Sequence, residues 1–242
     1  SVGPPFYHKL IIPFLIPFLI AMAVGPKLKW IKSNIEDKIY LILLFTISIV
    51  LSFLIVKKFN SNLLINTILI SSALYLFFIT LRDFFIKKYG NVSQNIAHFG
   101  FSLLILSILF NNLFSSEVIT NLKVGETFTS PNTKIVFKSI NKKEEKNYIS
   151  IRANFRIENL NGIIDDLSPE LRIYNQPNIA TSEADIKTSF LSDKFIVFNA
   201  VQNQDYFNVR YQVKSFMLWI WLSVILISLA GFISFFKKEY EK

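Results

Sequence analysis

Five uncharged apolar runs divide this chain and leave it few ways to fold. They lie between Lys9 and Lys27, Lys38 and Lys57, Lys58 and Arg82, Lys88 and Glu117, and Lys214 and Lys237. A helix that crosses a bilayer needs about 20 apolar residues, within a range of roughly 17–25. Hydrocarbon offers no water to backbone N–H and C=O groups, so each must bond within its own segment, and such runs become helices. The first run is the shortest and contains Pro13 and Pro17, so it reads as a kinked span or a re-entrant segment. It lacks the basic leader and small-residue cleavage site of a signal peptide, and further spans follow it.

The net charge of +9 does not point to nucleic acid. Lys and Arg gather at the ends of the apolar runs, as the positive-inside rule expects. Lys27, Lys29, Lys32 and Lys38 precede the second run. Arg82, Lys87 and Lys88 follow the third, and Lys237, Lys238 and Lys242 follow the last. If all five runs span, these clusters share one side. The start of the chain, the Lys57–Lys58 turn and residues 115–214 then share the other. The expected orientation is N-terminus out and C-terminus in. The chain has no cysteine, which excludes disulfides and thiol chemistry within it.

Residues 115–214 have a different grammar. In "YISIRANFRIEN" (Tyr148–Asn159), Ile149, Ile151, Ala153, Phe155 and Ile157 alternate with Ser150, Arg152, Asn154, Arg156 and Glu158. A period of two marks a half-buried antiparallel strand. "TKIVFKSI" (Thr133–Ile140), "KFIVFNAV" (Lys194–Val201) and "YFNVRYQV" (Tyr206–Val213) read the same way. "LNG" at 160–162 and "NQD" at 203–205 supply turns. "NKKEEKN" (Asn141–Asn147) reads as a charged connector. The fold class is therefore membrane α-helical, with about five spans and an inserted extracytoplasmic β-rich domain. Residues 1–114 hold four transmembrane helices, 115–214 the β-rich sandwich or barrel, and 215–242 the C-terminal transmembrane helix and inward tail.

Chemistry is sparse. Asp165, Glu170, Glu183 and Asp185 are scattered carboxylates with no metal-ligand spacing, and they read as a solvated face. Arg210 and Lys214 read as anchors of the last span. The informative residue is His98, inside "VSQNIAHFGFSLLILSILFNN" (Val92–Asn112). An ionisable side chain in a span defaults to a functional hypothesis, because an unpaired polar group there is costly. Ser93 reads as the N-cap of this helix, which puts His98 roughly 7–8 Å in from the inward end. Gln94, His98, Ser102, Ile105 and Leu109 share one face, polar at the inward end and apolar beyond. Gly100 allows something bulky to come close.

Three roles compete for His98: a structural histidine bonded to a neighbouring helix, a heme or metal ligand, and a proton relay. A ligating imidazole would want an acceptor for its other nitrogen, such as a backbone carbonyl or Gln94. The only other histidine, His8, lies at the opposite boundary, so a heme on His98 takes its second axial ligand from elsewhere. Trp219 and Trp221 read as an interfacial belt or as a platform at the edge of a flat apolar ligand. Trp30 and Tyr240 fit the other interface.

Several stretches, in order along nearly the whole chain, resemble the C-terminal portion of the CcmF-type cytochrome c heme lyases, members of the heme-handling protein superfamily. They are "GPPFYHKLIIPFLIPFLIAMAVGPKLKW", "AHFG", "LKVGETF", "LSPELRIYNQP", "SEADI" and "NVRYQVKSFMLWIWLSVILISLAGFISFF". The resemblance implies a role in system I cytochrome c maturation. Heme would be taken from a heme chaperone and joined through thioether bonds to the Cys-x-x-Cys-His motif of apocytochrome c. It implies a b-type heme in the membrane, with the histidine of the Ala-His-hydrophobic-Gly motif, here His98, as one axial ligand to iron. A substrate heme would be a second group, with Trp219 and Trp221 at its edge. Implied partners are the remaining N-terminal lyase part or split subunit, the heme chaperone, and apocytochrome c with its thiol-handling subunit. The implied location is a bacterial or mitochondrial inner membrane, with 115–214 on the periplasmic or intermembrane-space side.

Departures from that pattern are informative. The family's tryptophan-rich segment, outward histidine pair and other transmembrane heme histidine have no counterpart in this chain. The chain alone is therefore expected to be inactive. The family's basic residue after "PE" is Leu171 here, although Arg172 and Tyr174 persist, and its Arg-Asp-Leu-Tyr stretch appears as Ser192, Asp193, Lys194 and Phe195. Two other readings remain beside the lyase: a non-enzymatic membrane assembly or scaffold subunit, and a heme-transfer subunit.

Overall fold

The computed structural model describes residues 4–27, 35–59, 63–86, 92–159, 162–201 and 203–240. Trp30, Lys29, Lys32, Lys87 and Lys88 lie outside these, as do the side chains of His8 and Tyr240. The chain forms two compact units. One comprises residues 1–113 and 217–242, the other residues 114–216.

The first unit is helical: α1 (Pro4–Val24), α2 (Ile35–Lys58), α3 (Leu63–Ile86), α4 (Val92–Phe114) and α5 (Met217–Tyr240). All five are long and apolar enough to cross a membrane. The first run is a continuous helix through Pro13 and Pro17, ending in a single 3₁₀ turn at Gly25–Lys27. α3 is the central element. Of its apolar window 56% is buried, against 22% or less for the others. Small residues explain this position. Ser71, Ser72 and Ala73 let neighbours approach closely, and the two hydroxyls donate to the Ile68 and Leu69 carbonyls of their own helix. Leu19 and Ala23 of α1, Val56 of α2, Leu106 of α4 and Ile70, Leu76 and Ile79 of α3 form one buried cluster.

The second unit is an antiparallel β-sandwich. Its strands are β1 (Ser116–Leu122), β2 (Thr127–Thr129), β3 (Thr133–Glu144), β4 (Tyr148–Asn159), β5 (Ile164–Leu167), β6 (Glu170–Asn175), β7 (Asn178–Glu183), β8 (Asp185–Thr188), β9 (Ser192–Ala200) and β10 (Phe207–Ser215). One sheet has the order β1-β10-β9-β8. The other has the order β2-β3-β4-β6-β7, with β5 also on β4. The alternation in β4 sets its inner face: Ala153, Phe155 and Ile157 are buried, with Arg152 and Arg156 exposed. Ser150 breaks the pattern and is buried, because its hydroxyl bonds to Glu170 of β6. The two sheets meet at a cluster of rings. Phe137 and Phe155 stack at 4.4 Å, and Phe198 and Phe207 lie 5.7 Å apart at 60°.

"NKKEEKN" is not a connector. β3 runs through Asn141, Lys142 and Lys143 to Glu144, each paired with β4 down to Ile149. The register shifts between Phe137 and Ser139, and this bulge lets the hairpin continue past the core with charged side chains on an exposed extension. Gly162, at φ +70, supports the expected turn after β4, its N–H donating to the Asn159 carbonyl at 2.9 Å.

Two carboxylates of β5 join strands through ion pairs. Asp165, 2% exposed, accepts from Lys187 at 2.7 Å and Lys194 at 2.6 Å. Burial pushes its carboxyl up, but the two ammonium groups outweigh that and hold it below its ordinary value. Exposed Asp166 is drawn down to about 2 by Arg156 and Lys138. Depressed carboxyls stabilise the fold fully above their unfolded value near 4 and lose that contribution as pH falls through the folded value. The sandwich should therefore melt at constant temperature above about pH 5 and progressively lower toward about pH 2. Asp165→Asn should lower the neutral-pH plateau and flatten the acid slope, read by circular dichroism. Phe155→Ala should cost about 3–5 kcal/mol in urea unfolding, because a ring leaves a filled core.

Candidate functional site

The site is built on α4. Ser93 does not cap the helix. It lies inside α4, and its hydroxyl donates to the Ala230 carbonyl of α5 at 2.5 Å. The reason is partnership across helices: a serine facing a neighbour's carbonyl is better satisfied there than at its own helix end. One heptad on, Gly100 shares that face. A Cβ on Gly100 would stand 3.0 Å from the Ile227 side chain and 3.2 Å from the Ile227 backbone nitrogen. The close approach that glycine permits is thus filled by α5, where the sequence left it open to any bulky group.

His98 is two residues before Gly100, which turns it roughly 200° around the helix, away from α5. Its own face carries Ser102, Ile105 and Leu109. Ser102 is fully buried, with its hydroxyl on the Phe99 carbonyl. Ile105 and Leu109 pack against the buried α1–α3 cluster. Phe99 beside it meets Phe77 at 5.2 Å and Phe84 at 5.5 Å, both on α3. Phe101 meets Phe18 of α1 at 6.0 Å. These contacts set α4 against α1 and α3, and His98 stands half-buried on the side that faces protein. Gln94, one turn earlier, is exposed.

Asp83 of α3 is within electrostatic reach of His98. Its carboxylate accepts from the Lys27 ammonium at 2.5 Å, and both side chains are almost wholly buried. The sequence reading placed Lys27 in a charged cluster before the second run, gave Asp83 no role, and missed this pair. A signal existed: Asp83 is the one acidic residue of α3, an apolar helix in which an unpartnered carboxylate would be costly. Next to it, the Arg82 guanidinium stands 3.6 Å from the centre of the Tyr40 ring of α2.

Trp219 and Trp221 are not one platform. Two residues apart on α5, they point to different sides: Trp219 is half-buried and Trp221 is 63% exposed. Trp219 lies two turns before Ile227, the residue level with Gly100, so neither indole is near His98. A cleft of about 480 Å³ between α1, α2 and α3, lined by Ile20, Leu41, Phe45 and Tyr75, also excludes His98.

No three His, Cys, Asp or Glu side chains gather to hold a bare metal ion among the described residues. One imidazole, half-buried beside Phe99, offers instead a single protein nitrogen, the kind of donor a heme iron takes.

Comparison with known proteins bears on that fit. Residues 113–215 match the family model described as the CcmF C-terminal β-sandwich. The whole chain aligns with cytochrome c-type biogenesis protein CcmF of Pseudomonas fluorescens, 24% identical over 258 residues and covering 39% of that protein. It aligns equally completely with CcmF of Escherichia coli K12, 22% identical and covering 39%. The chain matches a C-terminal portion of CcmF. A solved structure titled cytochrome c heme lyase CcmF superposes with a TM-score of 0.72 at 18% identity, over 94% of this chain and 40% of that one. The chain therefore spans about two-fifths of the length of these CcmF relatives. Ala97–Gly100 is the Ala-His-hydrophobic-Gly segment that the sequence likens to CcmF, and the structure gives its glycine a helix contact and its histidine the opposite face.

Removing one member of the Lys27–Asp83 pair should cost about 3–5 kcal/mol, because it strands a buried charge. Asp83→Asn is thus expected to destabilise the helical unit in detergent unfolding. Lys27→Met with Asp83→Leu should restore most of the loss. Gly100→Val should loosen the α4–α5 contact at a cost of about 1–3 kcal/mol, since the Ile227 backbone cannot yield as a side-chain tip would.

Proposed function

We propose that this chain is the C-terminal part of a cytochrome c heme lyase and that His98 supplies one axial ligand to a b-type heme shared with residues outside the chain. The observation that carries the proposal is the position of His98. It is the one described histidine side chain, it lies in a membrane-spanning helix, and it faces protein while Gly100 turns the other side of α4 to α5. The alignment with CcmF along the whole chain supports the same reading.

A heme bound there would supply one-electron redox chemistry. This chain's own residues do simpler things. The imidazole of His98 presents a nitrogen lone pair while α4 fixes its direction. Phe77, Phe84 and Phe99 exclude water from the neighbouring helix surface. The Lys27–Asp83 pair ties the end of α1 to α3 at the same depth.

In the attachment reaction, a thiol of Cys-x-x-Cys-His adds across a heme vinyl group. A C–S bond forms, the C=C double bond is lost, and the thiol proton ends on the adjacent carbon, with no net change of oxidation state. Positioning thiol and vinyl supplies the rate. With no cysteine, and no histidine in residues 115–214, the sandwich contributes no bond-making nucleophile or base of those kinds. The sandwich is assigned instead to positioning the heme chaperone or the apocytochrome, on the periplasmic or intermembrane-space side. Attachment activity is assigned to this chain only together with the rest of its protein.

The test is a reduced-minus-oxidised absorption spectrum of the full protein purified from its native membrane, with and without His98→Ala. A six-coordinate b-type signal is expected, weakened about tenfold or more by the substitution. An unchanged signal would remove His98 as a ligand. Absence of heme from both samples, with the whole protein shown present, would favour a scaffold subunit.

A further inference from the structure

We infer that the tip of the β8–β9 hairpin, Phe190 and Leu191, is a membrane-contact element that inserts into the lipid interface. The inference rests on the sandwich and on the spans of α4 and α5, and it stands whether or not His98 binds heme.

Registers define one end of the four-stranded sheet. Ser116 of β1 pairs with Val213 of β10, and Ser215 of β10 pairs with Ser192 of β9. Thr188, the last residue of β8, pairs with Asp193. The start of β1, the end of β10 and the β8–β9 turn are therefore side by side. This is the end at which the chain passes to its spanning helices. α4 ends at Phe114, and α5 begins at Met217. The connection is bonded in place: the Ser215 hydroxyl donates to the Phe114 carbonyl at 3.2 Å, and the Ser215 N–H donates to the Ser115 hydroxyl at 3.1 Å. The Phe114 and Phe216 rings lie 5.9 Å apart.

The hairpin tip is tied directly to that junction. The Phe216 N–H donates to the Leu191 carbonyl at 2.8 Å. Leu191 is thus held one hydrogen bond from the residue that precedes a membrane-spanning helix. Yet Phe190 is 63% exposed and Leu191 56% exposed. The base of the turn satisfies itself: Ser189 N–H donates to the Ser192 carbonyl at 3.0 Å, and the Ser189 hydroxyl reaches the same carbonyl at 2.6 Å. A turn whose polar groups are bonded and whose tip is Phe-Leu loses little by leaving water. Of the nearby cations, Lys187 and Lys194 are both held by Asp165, and Lys214 stands opposite Asp193 in the strand register.

An exposed apolar residue elsewhere on the sandwich lacks this placement. Val124, 49% exposed, sits in the turn after β1, at the opposite end of the strand. Seven residues at about 3.3 Å each separate the two ends. Val124 is therefore a matched apolar control that should remain in water.

The chain has no cysteine, which makes single-site labelling selective within it. Phe190→Cys, Leu191→Cys and Val124→Cys variants of the full protein would carry a nitroxide and be reconstituted in phosphatidylcholine vesicles. Collision rates with oxygen, which concentrates in lipid, and with a water-soluble nickel chelate would be measured by power-saturation electron paramagnetic resonance. At positions 190 and 191 oxygen access should dominate, with nickel access about fivefold or more below that at Val124. Nickel access equal to Val124 would overturn the inference, as would shielding from both agents, which would mean that protein covers the tip. Either labelled position suffices, so a variant that fails to fold at one leaves the other decisive.

Discussion

The pairing of β1 with β10 is the contact on which the rest of this architecture depends. These are the first and last strands of the sandwich, and they run antiparallel from Ser116–Val213 to Leu122–Phe207. Their union lets a whole β domain sit inside a helical sequence without separating the two stretches of chain that flank it. Phe114 and Phe216 meet ring to ring at the junction. Farther along the same two stretches, α4 and α5 touch again at Ser93–Ala230 and Gly100–Ile227. An insertion that returns to its own starting point is tolerated because it demands nothing of the helices except a common exit.

Polar chemistry inside the helical unit follows from the expense of charge in hydrocarbon. Hydroxyls on α2, α3 and α5 bond to carbonyls of their own helix, as Ser48, Ser72 and Ser223 do. Lys27 and Asp83 neutralise each other across elements. His98 is different, because imidazole can be neutral and still offer a strong ligand nitrogen. That property suits it to a half-buried place facing α1 and α3. The iron site proposed for it would need a further ligand from outside this chain, which covers about two-fifths of its relatives.

Periodicity made much of this legible. Apolar runs of spanning length marked all five helices, and strict alternation marked β4 from Tyr148 to Asn159. Short strands escaped because they lack a long enough pattern: β5, β7 and β8 carry Asp165, Thr181 and Lys187 where alternation would need apolar groups. β3 was read too short because its continuation through Lys142 and Lys143 is held by backbone pairing alone, which leaves no hydrophobic trace. At the site, His98 was visible from its isolation in an apolar run. The Lys27–Asp83 pair was not, since partners distant in sequence and near helix ends look like ordinary loop charges. Ser93 was misplaced for a related reason: its acceptor is a carbonyl on another helix.

Strand order also sets the sequence in which the domain can assemble. β2 with β3, β3 with β4, and β8 with β9 and β10 are all pairs of near neighbours in the chain, which close quickly. β1 has no such partner. It lies at a sheet edge, bonded only to β10, so it must remain unpaired until nearly the entire domain has been synthesised. The strand attached to α4 is thus the last to lock during folding. By the same logic it is the first to peel away if the chain is pulled, which makes the link between membrane and sandwich the domain's mechanical fuse.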